Sequence, residues 1–257
     1  MSFMYKEIDE QKLPVIFDEI HIKNIKKNFI TNKNDIMICS NFRSGSTLLQ
    51  FILNMLVNNT RITDINLEWL EYTGKGKNNN IYKTHYSYDK IPVKELNTET
   101  KIIYIQRNPK DVLVSMYEYY KSSKWINYKG DFETFFKLFM KGDLLYDRWD
   151  KHVKSFKNSN HSNILFIHYE DLIRKKKETI LEIIKYLKLN IKNKKIKNII
   201  DVTQFNYMKN KLEKTNIWKK YVTFNTPVFF RKGVIDDNKN YLTEKQSKLI
   251  DLLLIDL

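Results

Sequence analysis

Glycine and proline are scarce in this chain, with six and four copies among 257 residues, and no stretch rich in Pro, Gly or Ser interrupts it. That absence removes the usual signs of a flexible linker, so the sequence reads as one domain over residues 1–257. Cysteine is scarcer still. Cys39 is the only one, which excludes a disulfide within the chain and points to a reducing compartment. Set within an apolar run, Cys39 reads as a small buried hydrophobe rather than a catalytic thiol. No segment approaches the roughly 20 consecutive apolar residues that a bilayer span requires. The opening MSFMYKEIDEQKLP carries acidic residues and no apolar block, unlike a secretory signal or a transit peptide. Cytoplasmic residence without membrane association is therefore the expectation.

What is abundant is positive charge and aromatic surface. Net charge is +15, and 16 Tyr and 15 Phe stand among 42% apolar residues. Such a chain can bury a large core and is suited to an anionic partner, whether nucleic acid, an acidic membrane or a multiply charged small ligand. The charge is densest between Arg174 and Lys197, where apolar residues keep helical spacing; this tract reads as a solvated helix face followed by a basic loop.

Four runs have the composition of buried parallel strands: residues 35–40 (DIMICS), 80–86 (NIYKTHY), 101–106 (KIIYIQ) and 163–169 (NILFIHY). Three lead directly into amphipathic patterns, SGSTLLQFILNML, PKDVLVSMYEYYK and EDLIRKKKETILEIIKYL. Alternating strands and helices predict an α/β domain with a central parallel sheet flanked by helices. FETFFKLFMKGDLLYDRWDKHVKSF reads as two helices broken at Gly142 with Asp143 as N-cap, and the last segment as a helix capped by Thr243. In such folds ligands bind beyond the carboxyl ends of the strands, so the residues there carry the functional argument.

After the first strand, Arg43, Ser44, Gly45, Ser46 and Thr47 place a cation, three hydroxyls and a permissive backbone at a helix start, a combination that can hold an anion. GxxxxGK[ST] is absent, which sets the loop apart from that of nucleotide triphosphatases and kinases. After the second strand, alternation turns Lys83 and His85 to one side, where the imidazole can take a proton and the ammonium can neutralise a departing oxyanion. After the third stand Arg107 and, two helical turns on, Ser115; Arg231, Lys232 and Gly233 follow near the C-terminus. Three basic sites imply a ligand with several charged groups at fixed spacing. A nucleic-acid-binding protein would instead need an RRM, KH, OB or helix-turn-helix signature, and none is present. No cluster has metal-ligand spacing.

In this order, FRSGST, KTH, RNPKDVLVS and FRKG resemble the motifs of soluble sulfotransferases that use 3′-phosphoadenosine 5′-phosphosulfate (PAPS) and release 3′-phosphoadenosine 5′-phosphate (PAP). The resemblance runs from about Asp35 to Asp251. It implies that Arg43 to Thr47 form a P-loop-like cradle for the 5′-phosphosulfate, and that Arg107, Ser115, Arg231, Lys232 and Gly233 bind the 3′-phosphate. Tyr169, Thr203 and Phe205 would hold the adenine, His85 would be the catalytic base, and Lys83 with Arg43 would steady the leaving phosphate. No metal enters the scheme, and the acceptor would be the hydroxyl or amine of a small molecule. Arginine at position 43, where small-molecule members usually have lysine, is found in several carbohydrate and tyrosine sulfotransferases, which keeps a carbohydrate-type acceptor in view. Leu48 and Asn238 stand where tryptophans are common. Glu244 and Lys248 replace the valine and glutamate of the usual dimer segment, so a monomer is expected. The acceptor pocket is expected from the N-terminal residues and from residues 60–77, 86–89 and 211–230, with Trp69, Tyr72, Tyr86, Tyr88, Trp125 and Trp218 as candidate aromatics. Asp64, Glu68, Glu71 and Asp89 leave room for a cationic acceptor.

Overall fold

The computed structural model describes residues 5–65, 67–73, 80–123, 126–212, 231–255 and 257. It opens with an antiparallel hairpin, β1 (Tyr5–Ile8) and β2 (Gln11–Pro14), joined through Asp9 and Glu10, both with positive φ. Helix α1 (Glu19–Asn28) follows, its first turn capped by Asp18, whose carboxylate accepts from the Ile20 amide.

The four apolar runs become β3 (Ile36–Cys39), β4 (Ile81–Thr84), β5 (Lys101–Gln106) and β6 (Ile164–His168), all parallel, in the order β4-β3-β5-β6. Alternation along the strands divides their side chains between two cores. Met37, Cys39, Tyr82, Ile102 and Tyr104 enter one; Ile36, Ile38, Ile81, Ile103 and Ile105 enter the other. Both faces are covered, which is why the strands read as unbroken apolar runs. Helix α2 (Ser46–Val57) belongs to the second core, and α4 (Pro109–Ser122), α5 (Phe132–Lys141) and α6 (Trp149–Lys157) to the first. Between α2 and β4 lies the short α3 (Leu70–Thr73).

The helix breaks differ from the sequence pattern in three places. Gly142 ends α5 in the left-handed conformation, but α6 begins only at Trp149; Asp143 caps nothing and instead accepts from Lys12 Nζ at 2.8 Å. The pattern after β6 is two helices, α7 (Tyr169–Arg174) and α8 (Lys176–Tyr186), divided at Lys175. Where a basic loop is expected stands α9 (Asn193–Val202), which buries Ile196 and Ile199, exposes Lys194 and Lys197, and ties Lys195 Nζ to the Leu56 carbonyl of α2. α10 (Phe205–Leu212) follows, and α11 (Glu244–Asp251) begins with the expected Thr243 cap, completed into a capping box by Gln246.

The chain leaves β3 toward β4 on one side and resumes on the other at β5. The strand order thus reverses between β3 and β5, and beyond their carboxyl ends lies the crevice where open α/β sheets bind ligands.

Candidate active site

Residues 41–45 turn β3 into α2. Arg43 and Gly45 both have positive φ, 70° and 98°. A Cβ on Gly45 would lie 2.5 Å from Tyr169 Cδ2, so the glycine clears the ring that opens α7. Arg43, Gly45, Ser46 and Thr47 line a cavity of about 370 Å³. Ser44 is the exception: it is buried, outside the cavity wall, and its Oγ has no protein partner among the described residues.

Lys83 and His85 rise from the adjacent end of β4 into the same cavity. Lys83 Nζ donates to Thr47 Oγ1 at 2.7 Å and lies over the Trp69 ring. Burial is the main cause that brings its ammonium down to about 7, against the pull of Glu71. Glu71 is itself buried, and desolvation raises its carboxyl to about 7 although Thr84 Oγ1 and the His85 amide both donate to its Oε1. His85 Nδ1 is 2.8 Å from the Ser40 carbonyl oxygen. A carbonyl oxygen only accepts, so Nδ1 carries the proton and the Nε2 lone pair is left for the cavity. Burial, then the charge of Lys83, hold this imidazole well below its ordinary value, and it is neutral near pH 7.

A second basic site lies across β5. Arg107 donates through Nη1 to the Arg43 carbonyl and through Nη2 to that of Val234, and its guanidinium rests over the Tyr169 ring at 4.5 Å. Its buried Nε has no protein partner among the described residues. Arg43 Nε donates to Ser115 Oγ at 3.2 Å; burial lowers this guanidinium to about 10, still charged near neutrality. Arg231 and Lys232 clasp Asp237 at 2.5 and 2.8 Å. Burial opposes the Asp237 charge, but bonds from Lys232 and Arg231 outweigh it and hold the carboxyl near about 2. Asp111 on α4 anchors this segment by accepting from the amides of Asp236 and Asn238 and from Asn238 Nδ2. Gly233, at φ 65°, lies against Phe205, where a Cβ would come within 2.1 Å of Cδ2.

The deciding comparison is with family models: residues 33–254 match the sulfotransferase domain. The chain belongs to the sulfotransferase family. Sulfotransferase 1B1 of the dog, Canis lupus familiaris, is 27% identical over 262 residues, covering 93% of this chain and 88% of its own. Sulfotransferase 1A1 of Rattus norvegicus is 28% identical over 249 residues, 88% of this chain and 84% of its own. Among solved structures, mouse sulfotransferase SULT7A1 complexed with PAP superposes with a TM-score of 0.80 at 26% identity, covering 98% of this chain and 93% of that one. Retinol dehydratase in a complex with retinol and PAP shares the fold, with a TM-score of 0.78 at 19% identity over 96% of this chain and 88% of its own.

This sulfotransferase gathers around one cavity fourteen of the fifteen residues to which the resemblance gives a catalytic or donor-binding role, all but Ser44. Beyond Arg107 the wall is formed by Tyr169, Thr203 and Phe205 as expected, and by Ile173, Lys176, Gln204 and Met208, which the sequence did not mark. The His85 ring makes T-shaped contacts with Phe42, Trp69 and Tyr146. Tyr86 packs on Tyr146, and Tyr88 on Phe156 away from the cavity. Trp125, Trp218 and the Tyr72 side chain fall outside the described residues. None of the four acidic candidates lines the cavity. Asp64 pairs with Arg61, Asp89 is exposed, Glu68 is buried, and Glu71 is occupied behind His85, so the described walls offer no counter-charge to a cationic acceptor. No helix among the described residues is long and apolar enough to cross a membrane.

Proposed function

We propose that this sulfotransferase transfers the sulfuryl group of PAPS to a hydroxyl of a small, aromatic or apolar acceptor. The observation that carries the reading is a single cavity holding two separate basic sites with a neutral, Nε2-open His85 at one of them. The residues fit such a donor: the unsatisfied Arg107 Nε and the desolvated Lys83 ammonium are groups that phosphate oxygens complete. When bound, PAPS supplies the sulfur centre and a 5′-phosphate leaving group. The chain supplies the rest. His85 Nε2 takes the acceptor proton as the new S–O bond forms in line with the bond that breaks. The electron pair of the breaking S–O bond passes to the bridging 5′-phosphate oxygen, where Lys83 and Arg43 stabilise it. Arg107, Ser115, Arg231, Lys232 and Gly233 take the 3′-phosphate, Tyr169 and Phe205 the base.

The acceptor lies beside His85, where Phe42 and Trp69 line the cavity and offer aromatic surface suited to a flat apolar molecule rather than to a sugar chain. We read the chain as a single cytoplasmic domain acting as a monomer. Free, buried Cys39 supports the compartment, and the exposed charges of Glu244 and Lys248 on α11 oppose the usual family contact.

The test is calorimetric titration with PAP and with adenosine 5′-phosphate. PAP is expected to bind at least about 100-fold tighter, since charge-assisted bonds to the 3′-phosphate exist only for PAP. His85→Ala should keep the PAP affinity while lowering transfer from labelled PAPS to a phenol by roughly 10²- to 10⁴-fold. Equal affinity for the two nucleotides would overturn the donor assignment. Loss of PAP binding in His85→Ala would make His85 a nucleotide contact instead.

A further inference from the structure

The cavity wall also contains a lysine that the transfer chemistry leaves unused. Lys176 is the first residue of α8, is 9% exposed, and lines the cavity beside Tyr169, Thr203 and Phe205. Its Nζ donates to the main-chain carbonyl of Thr203 at 2.7 Å. No carboxylate among the described residues pairs with it, and burial alone brings its ammonium down to about 8. A cation desolvated without a counter-charge is costly unless hydrogen bonds compensate it.

An ammonium has three donors and a carbonyl oxygen two lone pairs, and the contact with Thr203 uses one of each. By valence a donor and an acceptor remain side by side, in two residues that line the cavity together with the apolar Ile173, Phe205 and Met208 and the polar Gln204. That combination matches the edge of a planar heterocycle with an amino group next to a ring nitrogen. Adenine has such an edge: the N6 amino group donates, and N1 on one side or N7 on the other accepts. Hypoxanthine presents the reverse order, O6 accepting and N1–H donating, so in the orientation adenine adopts its O6 would confront the Thr203 carbonyl, acceptor against acceptor.

We infer that Lys176 and the Thr203 carbonyl form a donor–acceptor pair that reads the amino edge of the donor's adenine, which makes Lys176 a specificity-determining residue of this enzyme. The inference rests on the PAPS reading above. Thr203 contributes through its main chain, since its hydroxyl already donates to the Ile199 carbonyl at 2.6 Å. The ring is held between apolar walls, and Lys176 sets which purine edge is accepted.

The test titrates PAP, its 1-deaza and 7-deaza analogues, and 3′-phosphoinosine 5′-phosphate into the wild-type protein and Lys176→Met. Removing the ring nitrogen that faces the ammonium should weaken wild-type binding by roughly 10- to 100-fold for one of the two deaza analogues, and the inosine analogue should lose at least about 10-fold. Lys176→Met should bind PAP weaker by a similar factor and show no further loss on that deaza analogue. A structural role for Lys176 would not erase the difference between the two ligands. Wild-type protein that binds PAP tightly and both deaza analogues equally well would remove the Lys176 reading and leave the donor assignment standing. Absence of PAP binding would remove both. The deaza comparison needs no variant, so the outcome is decided even if Lys176→Met does not fold.

Discussion

Lys83 meets two opposing demands: it must enter a dry cavity, and it must be charged when the leaving oxygen develops. In the ligand-free chain the first prevails, and its ammonium titrates near about 7. An anion placed beside it favours the protonated form and raises that value. Between the free and bound values, binding therefore takes up a proton, so PAP affinity is full below about pH 7 and declines as pH rises through the window above it. Calorimetry at about pH 8 in buffers of different ionisation enthalpy should show uptake approaching about one proton, and Lys83→Met should show less by nearly that amount. Identical uptake in the two proteins would mean that Lys83 is not beside the anion. Lys83 and His85 were legible from sequence because strand alternation alone puts them on one side. Lys176 was not. In a run of consecutive lysines nothing local distinguishes the one that turns inward; only the packing of α8 against the end of α9 does so.

At the scale of elements, the loop from β3 to α2 depends on Gly45. Any side chain there meets both a left-handed φ of 98° and the Tyr169 ring, which in turn carries the Arg107 guanidinium. Gly45→Ala is expected to lose about 1–3 kcal/mol of stability, read from urea unfolding, and to weaken PAP binding because Tyr169 must move. Unchanged stability with weakened PAP binding would mean that the loop relaxes freely and that Gly45 serves the ligand alone. The approach of an anion was the reason apparent in the sequence; the tight packing of α7 against the loop appears only in the fold. The same limit explains the other differences. The strands and α2, α4 and α11 follow from local composition and caps, whereas the β1–β2 turn uses Asp9 and Glu10 at positive φ in place of an Asn-Gly signal. Asp143 had the chemistry of a cap, but Lys12, over a hundred residues earlier in the chain, claims its carboxylate.

Across the whole molecule, the charge of +15 divides into two populations with different physics. Arg43, Lys83 and Arg107 converge on the cavity, where low dielectric preserves their attraction for a ligand and mobile ions enter poorly, while Arg231 and the exposed Lys232, paired with Asp237, stand at its rim. The lysines of α8 and α9, Lys176 apart, lie mostly on the solvent face, where salt screens them. A basic surface of that kind binds any polyanion through counterion release, with a steep dependence on salt. Raising salt from about 50 to 500 mM should therefore weaken PAP binding by less than about 10-fold, while affinity for a random single-stranded oligonucleotide falls by roughly 10³-fold or more. Fluorescence anisotropy with labelled forms of the two ligands reads both slopes in one buffer series. If PAP affinity falls as steeply as that of the oligonucleotide, the nucleotide is held by exposed charge and the cavity is not its site. A shallow slope for PAP beside a steep one for the oligonucleotide assigns the cavity cations to the donor and leaves the surface lysines to nonspecific attraction alone.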